Sequence, residues 1–165
     1  VALSIRKKTS LPCDIALGTH MGDFDNNKKE GIYPDCSEEF RVALEYAFKI
    51  GNWDSEHVNY YAPFNTVDKT GVLSQGLELC KSLGLKYKEI YSRTLTSYDP
   101  ILHKGKLFSD YKSGSSIERI MSFIKLGKKD PIQYAEDNGD LVKWDHVKAY
   151  ALKIEEEFKS NNPNF

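Results

Sequence analysis

The chain has 165 residues, 40 % hydrophobic and 12 % aromatic, and its charged residues, 28 % of the total, balance to a net −1. That composition belongs to a folded domain with a core and excludes a disordered chain. No basic excess points to direct nucleic-acid binding, and no run approaches the ~20 apolar residues of a membrane-spanning helix. Arg6, Lys7 and Lys8 are followed by no apolar run of signal-peptide length, so no secretory signal is expected. The missing initiator Met is compatible with processing or with a longer parent chain. Cys13, Cys36 and Cys80 are odd in number and widely spaced, without a C-x-x-C. This argues against a disulfide scaffold or a cysteine zinc site and for reduced, packed thiols in a cytoplasmic protein.

In chain order, residues 4–12 are weakly helical and stop at Pro12. Residues 13–18 form a short apolar run closed by Gly18, which reads as a buried strand. Residues 21–31 read as a polar, solvated insertion with Asn26 to Glu30 at its tip. Ser37 caps a helix whose first turn carries Glu38 and Glu39, and Phe40, Ala43, Leu44, Ala47 and Phe48 mark its inward face. Gly51 and Asn52 end it. Residues 57–64, rich in Val and Tyr, read as a strand ending at Pro63.

Asp68 caps a second helix with Val72, Leu73, Gly76, Leu77, Cys80 and Leu83 on one face, and Gly84 closes it. A short helical stretch at 87–91 follows. Residues 94–112 read as a long irregular segment. A third helix over 115–126 turns Ile117, Ile120, Met121 and Ile124 inward. The last, over 142–159, turns in Trp144, Val147, Ala151, Ile154 and Phe158. Strand, helix, strand, helix and then helices give an α/β layer with a helical C-terminal part. Two strands do not make a stable parallel sheet alone. A third strand hidden in the apparent loops, or chain outside these residues, has to complete it.

The informative run is Gly18-Thr19-His20-Met21-Gly22-Asp23-Phe24, an insertion, then Tyr33-Pro34-Asp35-Cys36-Ser37-Glu38-Glu39-Phe40. It resembles the 7-cyano-7-deazaguanine synthase family, also called QueC or ExsB, where a Tyr-Pro-Asp-Cys motif starts a helix. Ala62-Pro63-Phe64 to Lys69, Leu77-Glu78-Leu79 to Gly84-Leu85, Gly114-Ser115-Ser116-Ile117-Glu118-Arg119, and Asp130-Pro131 with Tyr134 continue the resemblance, which covers about 15–134. It implies a partial Rossmann-like unit of the PP-loop ATP pyrophosphatase superfamily (adenine nucleotide alpha hydrolase-like). The expected single domain has an α/β part (1–92), a zinc-segment equivalent (93–134) and an appended helix (135–165).

The implied activity is a ligase reaction of queuosine biosynthesis. A carboxylate on 7-carboxy-7-deazaguanine is adenylated, attacked by ammonia and dehydrated to the nitrile, with ATP and Mg²⁺. Three departures qualify this. The family's Ser-Gly-Gly-x-Asp-Ser phosphate loop is absent, so this chain alone is not expected to hold ATP in the family's way. The family's four zinc cysteines correspond to Ser97, Asp110, Ser113 and Ser116, and since a serine hydroxyl is a poor zinc ligand, no zinc is expected. Its loss has to be offset by packing or by the last helix. Ser37 stands where the family commonly has Arg.

The candidate substrate-binding residues are Tyr33, Asp35, Asp23, His20 and Lys69. Each also has a plain structural reading. Asp35 caps a helix or accepts from the substrate's amide edge, and Tyr33 packs in a core or stacks on a purine-like ring. Asp23 and His20 are turn residues or ligand contacts at a strand end. Lys69 is an exposed first-turn lysine or a contact to an anion. Cys36 reads as packed rather than nucleophilic, and Glu118 and Arg119 as structural. The implied partners are a small 7-deazaguanine substrate and either a homodimer mate or a second chain carrying the ATP loop. The alternative is a non-catalytic relative acting as a binding or assembly module.

Overall fold

The computed structural model describes residues 1–25, 30–31 and 33–161, with backbone alone at 24–25 and 30–31. The chain divides into two compact units, Val1–Val72 and Leu73–Phe165.

The first unit is built on one parallel strand pair. α1 (Ala2–Thr9) ends where Ser10 turns left-handed, with φ 59°, and packs on β1 (Cys13–Ala16). β1 pairs in parallel with β4 (Val58–Tyr61), in the register Cys13↔Val58 to Ala16↔Tyr61. A further parallel bridge, His20↔Phe64, prolongs the pair. No third strand joins this sheet among the described residues. β1 is therefore not the buried strand the apolar run predicts, because Asp14 and Ala16 are exposed. Within the expected insertion, β2 (Phe24–Asp25) and β3 (Glu30–Gly31) pair antiparallel. Of the expected tip, Asn26 to Glu30, the first four residues lie outside the described ones, and Glu30 belongs to β3.

Ser37 caps α2 (Glu38–Gly51) as its sequence predicts, its Oγ accepting from the Phe40 N–H at 3.1 Å. The inward face differs from the expected one. Leu44 and Phe48 are half-buried, Phe48 lying edge-on to Tyr60. Phe40, Ala43 and Ala47 are exposed, as are Val42, Tyr46 and Ile50. The helix is apolar around more of its circumference than two strands can cover.

α3 (Lys69–Ser82) spans the division between the units. Asp68 caps it, accepting from the Gly71 N–H at 2.8 Å. Leu73 and Cys80 are buried, but Leu83, expected on the same face, is 63 % exposed, because the helix has ended and Gly84 has turned left-handed.

In the second unit α4 (Tyr87–Tyr91) precedes a segment that is more regular than expected. Residues 94–112 contain the hairpin β5 (Ile101–His103) and β6 (Lys106–Phe108). Its two-residue turn, Lys104-Gly105, has φ 49° and 74°, the pair of positive values that matches strand twist in a tight hairpin. A second hairpin joins β7 (Tyr134–Ala135) to β8 (Leu141–Val142). The Ser109 N–H donates to the Gln133 carbonyl, and the Ala135 N–H to the Ser109 carbonyl, which ties the two hairpins together.

α5 (Gly114–Lys125) packs on α6 (Trp144–Asn161). Their core joins Ile120 and Met121 to Tyr134, Val147, Ala151 and Tyr111, with Ile117, Ile124, Trp144 and Tyr150 against it. Phe158, expected on this stripe, is 53 % exposed. Among the described residues no helix is long and apolar enough to cross a membrane. The whole is an α/β arrangement, a partial Rossmann-like unit with a helical C-terminal part.

Candidate functional site

The five candidate binding residues all fall in the first unit, four of them in the loops leaving the C-terminal end of β1. His20 is buried and held on several sides. Its N–H donates to Asp23 Oδ2 at 2.9 Å, and its Nδ1 accepts from the Gly22 N–H at 3.1 Å. A backbone donor on Nδ1 places the neutral ring's proton on Nε2, which lies 3.6 Å from Asp23 Oδ1. The short 3₁₀ turn at Met21–Asp23 thus binds His20 and Asp23 into one unit. The Asp23 carbonyl accepts from the Tyr33 N–H at 3.3 Å, carrying the turn onto the Tyr-Pro-Asp-Cys motif.

That motif forms a second 3₁₀ turn, Pro34–Cys36, with Tyr33 extended before it. The Cys36 N–H donates to the Tyr33 carbonyl and the Ser37 N–H to the Pro34 carbonyl. Proline fixes the first turn position, and Ser37 supplies the cap for α2. Ser37, not Asp35, caps α2. Its carboxylate is exposed at the turn, while Tyr33 is half-buried. Burial first, then the carboxylates of Asp23 and Asp35, push the Cys36 thiol up. It therefore stays protonated near neutrality and packs rather than attacks. Lys69 opens α3 on the same side: the Met21 N–H donates to the Val67 carbonyl, two residues before it.

A neighbouring cleft of about 430 Å³ is lined by Glu38, Arg41, Tyr60, Tyr61, Asn65 and Thr66. Thr19 Oγ1 donates to Asn65 Oδ1 at 2.8 Å, Asn65 Nδ2 to Glu38 Oε2 at 3.1 Å, and Arg41 closes on Glu38. The hydrogen bond from Arg41 holds the Glu38 carboxyl below its ordinary range. Sequence reasoning missed Arg41, although Glu38, Arg41 and Glu45 at i, i+3 and i+7 are a helix-face charge pattern.

Of the four residues expected at the family's zinc positions, in the second unit, Ser97, Ser113 and Ser116 converge on the carboxylate of the fourth. Asp110 accepts from Ser97 Oγ, from the Lys112 N–H at 2.8 Å, from the Ser113 N–H at 2.6 Å and Oγ at 2.9 Å, and from Ser116 Oγ at 3.1 Å. Burial pushes the Asp110 carboxyl up, but the hydrogen bonds from Ser97, Ser113 and Lys112 outweigh it and hold it below its usual range. Three hydroxyls and one carboxylate, already spent on one another, are not a zinc donor set. Among the described residues no cluster of three or more His, Cys, Asp or Glu stands elsewhere to replace it. Nor does this sequence contain a glycine-rich loop to cradle the phosphates of ATP.

Arg119 is structural, as expected. It grips the fully buried Asp130 through Nε at 2.5 Å and Nη2 at 2.9 Å, and reaches Thr94, Thr96 and the Tyr91 carbonyl. Tyr134 donates to the same Asp130 at 2.9 Å. Both the guanidinium and the phenol are held in their protonated forms.

Comparison with known proteins accords with the motif. The chain is 34 % identical over 118 residues to 7-cyano-7-deazaguanine synthase 2 of Colwellia psychrerythraea, covering 72 % of this chain and 44 % of that protein. It is 31 % identical over 137 residues to the 7-cyano-7-deazaguanine synthase of Psychromonas ingrahamii, 82 % of this chain and 52 % of the relative. With the synthase of Marinobacter nauticus the figures are 34 % over 117 residues, 71 % and 43 %. The chain thus spans about half the length of the curated relatives it matches, their C-terminal part. No solved structure matches it significantly. The family model described as queuosine biosynthesis protein QueC matches residues 12–106, more than half of the sequence, and the chain belongs to that family.

Proposed function

We propose that this chain is the substrate-holding part of a 7-cyano-7-deazaguanine synthase, completed by sequence outside these residues that carries the ATP loop. The reaction is the ATP-dependent conversion of 7-carboxy-7-deazaguanine and ammonia to 7-cyano-7-deazaguanine. One observation carries the reading. The Tyr33–Ser37 turn stands at the C-terminal end of two parallel strands and leaves the Asp35 carboxylate exposed, at the edge where open α/β sheets bind ligands.

Asp35 accepts from the N–H donors on the pyrimidine edge of the base. Tyr33 offers an aromatic ring, the His20–Asp23 unit is joined to it through the Asp23 carbonyl, and Lys69 supplies a cation at the start of α3. The phosphates of ATP fall to the sequence that carries the loop.

The test has two arms. Calorimetric titration of the chain with 7-carboxy-7-deazaguanine should show binding that Asp35→Ala weakens at least tenfold, the equivalent of about 1.4 kcal/mol for one lost charged hydrogen bond. Mass spectrometry should find 7-cyano-7-deazaguanine only when the loop-bearing polypeptide, ATP and ammonia are all supplied. Binding without turnover in the complete mixture would instead make the chain a non-catalytic binding module. No binding and no turnover would refute both readings.

A further inference from the structure

The candidate binding residues sit on three loops around the C-terminal end of the β1–β4 pair. The first follows β1 and carries His20 and Asp23. The second precedes α2 and carries Tyr33 and Asp35. The third follows β4 and leads to Lys69. Main-chain bonds join the first loop to each of the others. The Tyr33 N–H donates to the Asp23 carbonyl at 3.3 Å, and the Met21 N–H to the Val67 carbonyl at 2.9 Å. The second and third loops are joined through a side chain, that of Asn65.

Asn65 Oδ1 accepts from Thr19 Oγ1 at 2.8 Å, and its Nδ2 donates to Glu38 Oε2 at 3.1 Å. An ionised carboxylate only accepts, so Glu38 fixes which end of the amide faces it and leaves the carbonyl end to Thr19. Glu38 is itself anchored. Arg41 Nε donates to its Oε2 at 3.0 Å and Nη2 to its Oε1, while Arg41 Nη1 donates to the Tyr60 carbonyl of β4 at 3.4 Å. The Tyr60 N–H donates in turn to Glu45 Oε2, one turn further along α2. One half-buried amide therefore bonds to the residue before His20 on one side and to the first residue of α2 on the other.

We infer that Asn65 is a positioning residue of the substrate site: its amide closes the three loops into one frame and holds the Asp35 turn in register with the His20–Asp23 unit. It acts through Thr19 and Glu38 rather than by touching the ligand. The strand pair does not depend on it, because β1 and β4 are held by their own ladder from Cys13↔Val58 to Ala16↔Tyr61. Losing the amide should therefore loosen the loops and leave the sheet. Loops at a strand end lose freedom when a ligand seats, and a frame formed beforehand removes that cost from binding. The inference rests on the synthase reading for the identity of the ligand alone.

Two measurements on the 165-residue chain test it. Amide exchange needs no ligand. Asn65→Leu keeps the shape of the side chain and removes both bonds. Exchange at Tyr33, Cys36 and Ser37 should then quicken roughly tenfold, as for the loss of about one hydrogen bond to a charged group. The Cys13 and Leu17 amides, which donate to β4 and its preceding residue, should stay protected. Calorimetry with 7-carboxy-7-deazaguanine should show affinity reduced roughly tenfold by Asn65→Leu and severalfold by Thr19→Val. Thr19→Ser keeps the hydroxyl and should restore the wild-type affinity. Thr19→Val added to Asn65→Leu should weaken binding no further, because the bond it removes has already gone. Unchanged exchange at the Asp35 turn, quickened exchange across the sheet as well, or Thr19→Ser as weak as Thr19→Val would overturn the inference. The two Thr19 variants carry both measurements if Asn65→Leu does not fold. A wild-type chain that fails to bind the ligand would overturn the synthase reading and leave the exchange pattern to decide this one.

Discussion

Replacing Asp110 by alanine removes the acceptor of all five hydrogen bonds that gather Ser97, Lys112, Ser113 and Ser116. Hydrogen bonds to a charged acceptor contribute roughly 1.5–3 kcal/mol each, but these five share two oxygens and do not add. Ser116 retains a hydroxyl partner in Ser109 and Ser113 one in Ser115. Counting about two full bonds, Asp110→Ala should cost roughly 3–6 kcal/mol. That is a large share of the roughly 5–15 kcal/mol by which a domain is stable. Asp110→Asn keeps an oxygen for the Lys112 and Ser113 N–H groups and lets the serines turn their lone pairs to the new amide, so it should cost about 1–2 kcal/mol.

The assay is urea unfolding followed by Trp144, which lies against Tyr134 in the core of the second unit. Trp53, 94 % exposed, is first changed to Phe so that it adds no signal. A loss under about 1 kcal/mol for Asp110→Ala, below the value of a single charged hydrogen bond, would refute the view that this carboxylate stands in for a metal as the tie of the segment. Equal losses for Ala and Asn would refute the role of its charge.

The remaining predictions concern one feature each. The Asp110 carboxyl is held low in the folded state, so its contribution is fully present above the ordinary aspartate pKa of about 3.9 and is lost as pH falls through the folded value. The stability gap between wild type and Asp110→Asn should therefore be flat from pH 8 to 5 and shrink below about pH 4; a gap that instead grows on acidification refutes the sign. Arg119→Ala strands the buried Asp130 carboxylate and should cost about 3–5 kcal/mol in the same urea assay. Arg119→Lys, which keeps the charge without the two-pronged grip, should recover only part of this, and full recovery would show that the charge alone matters. Ser37→Ala removes the α2 cap and should cost about 1 kcal/mol by urea denaturation of the first unit. Gly105→Val forces a β-branched residue into a left-handed turn position, φ 74°, and should speed amide exchange across β5 and β6 while leaving α6 unchanged.

What the sequence discloses and what it hides follow from the range of the forces involved. Caps are local: Ser37 and Asp68 act within three residues and Gly84 within one turn, so all were legible. The Ile117–Ile120–Met121–Ile124 stripe was legible because α6 is there to meet it. The α2 stripe misled for the complementary reason. Periodicity reports which face is apolar, not whether anything covers it, and Phe40, Ala43 and Ala47 remain exposed. The β5–β6 hairpin escaped because three-residue strands leave no alternation to read, although Lys104-Gly105 is its turn. At the site, the Tyr33–Cys36 motif was legible through family resemblance. The His20–Asp23 unit and the Arg41 contacts to β4 were not, since they depend on where a 3₁₀ turn and a helix face come to rest.

These two kinds of departure are linked by the same physics. In the second unit the segment is tied from within: Asp110 gathers the serines, and Tyr111, the next residue, enters the core that α6 completes. That solution is self-contained, because hydroxyls, a carboxylate and an extra helix come from the same stretch of chain. In the first unit nothing comparable has happened. Among the described residues the α2 face is apolar around more than its packed side, the β1 edge is unpaired, and charged side chains of α2 close the β4 edge. A chain that had taken up a solitary role would be under pressure to blunt the exposed edge and to make the exposed helix face polar, since both invite aggregation.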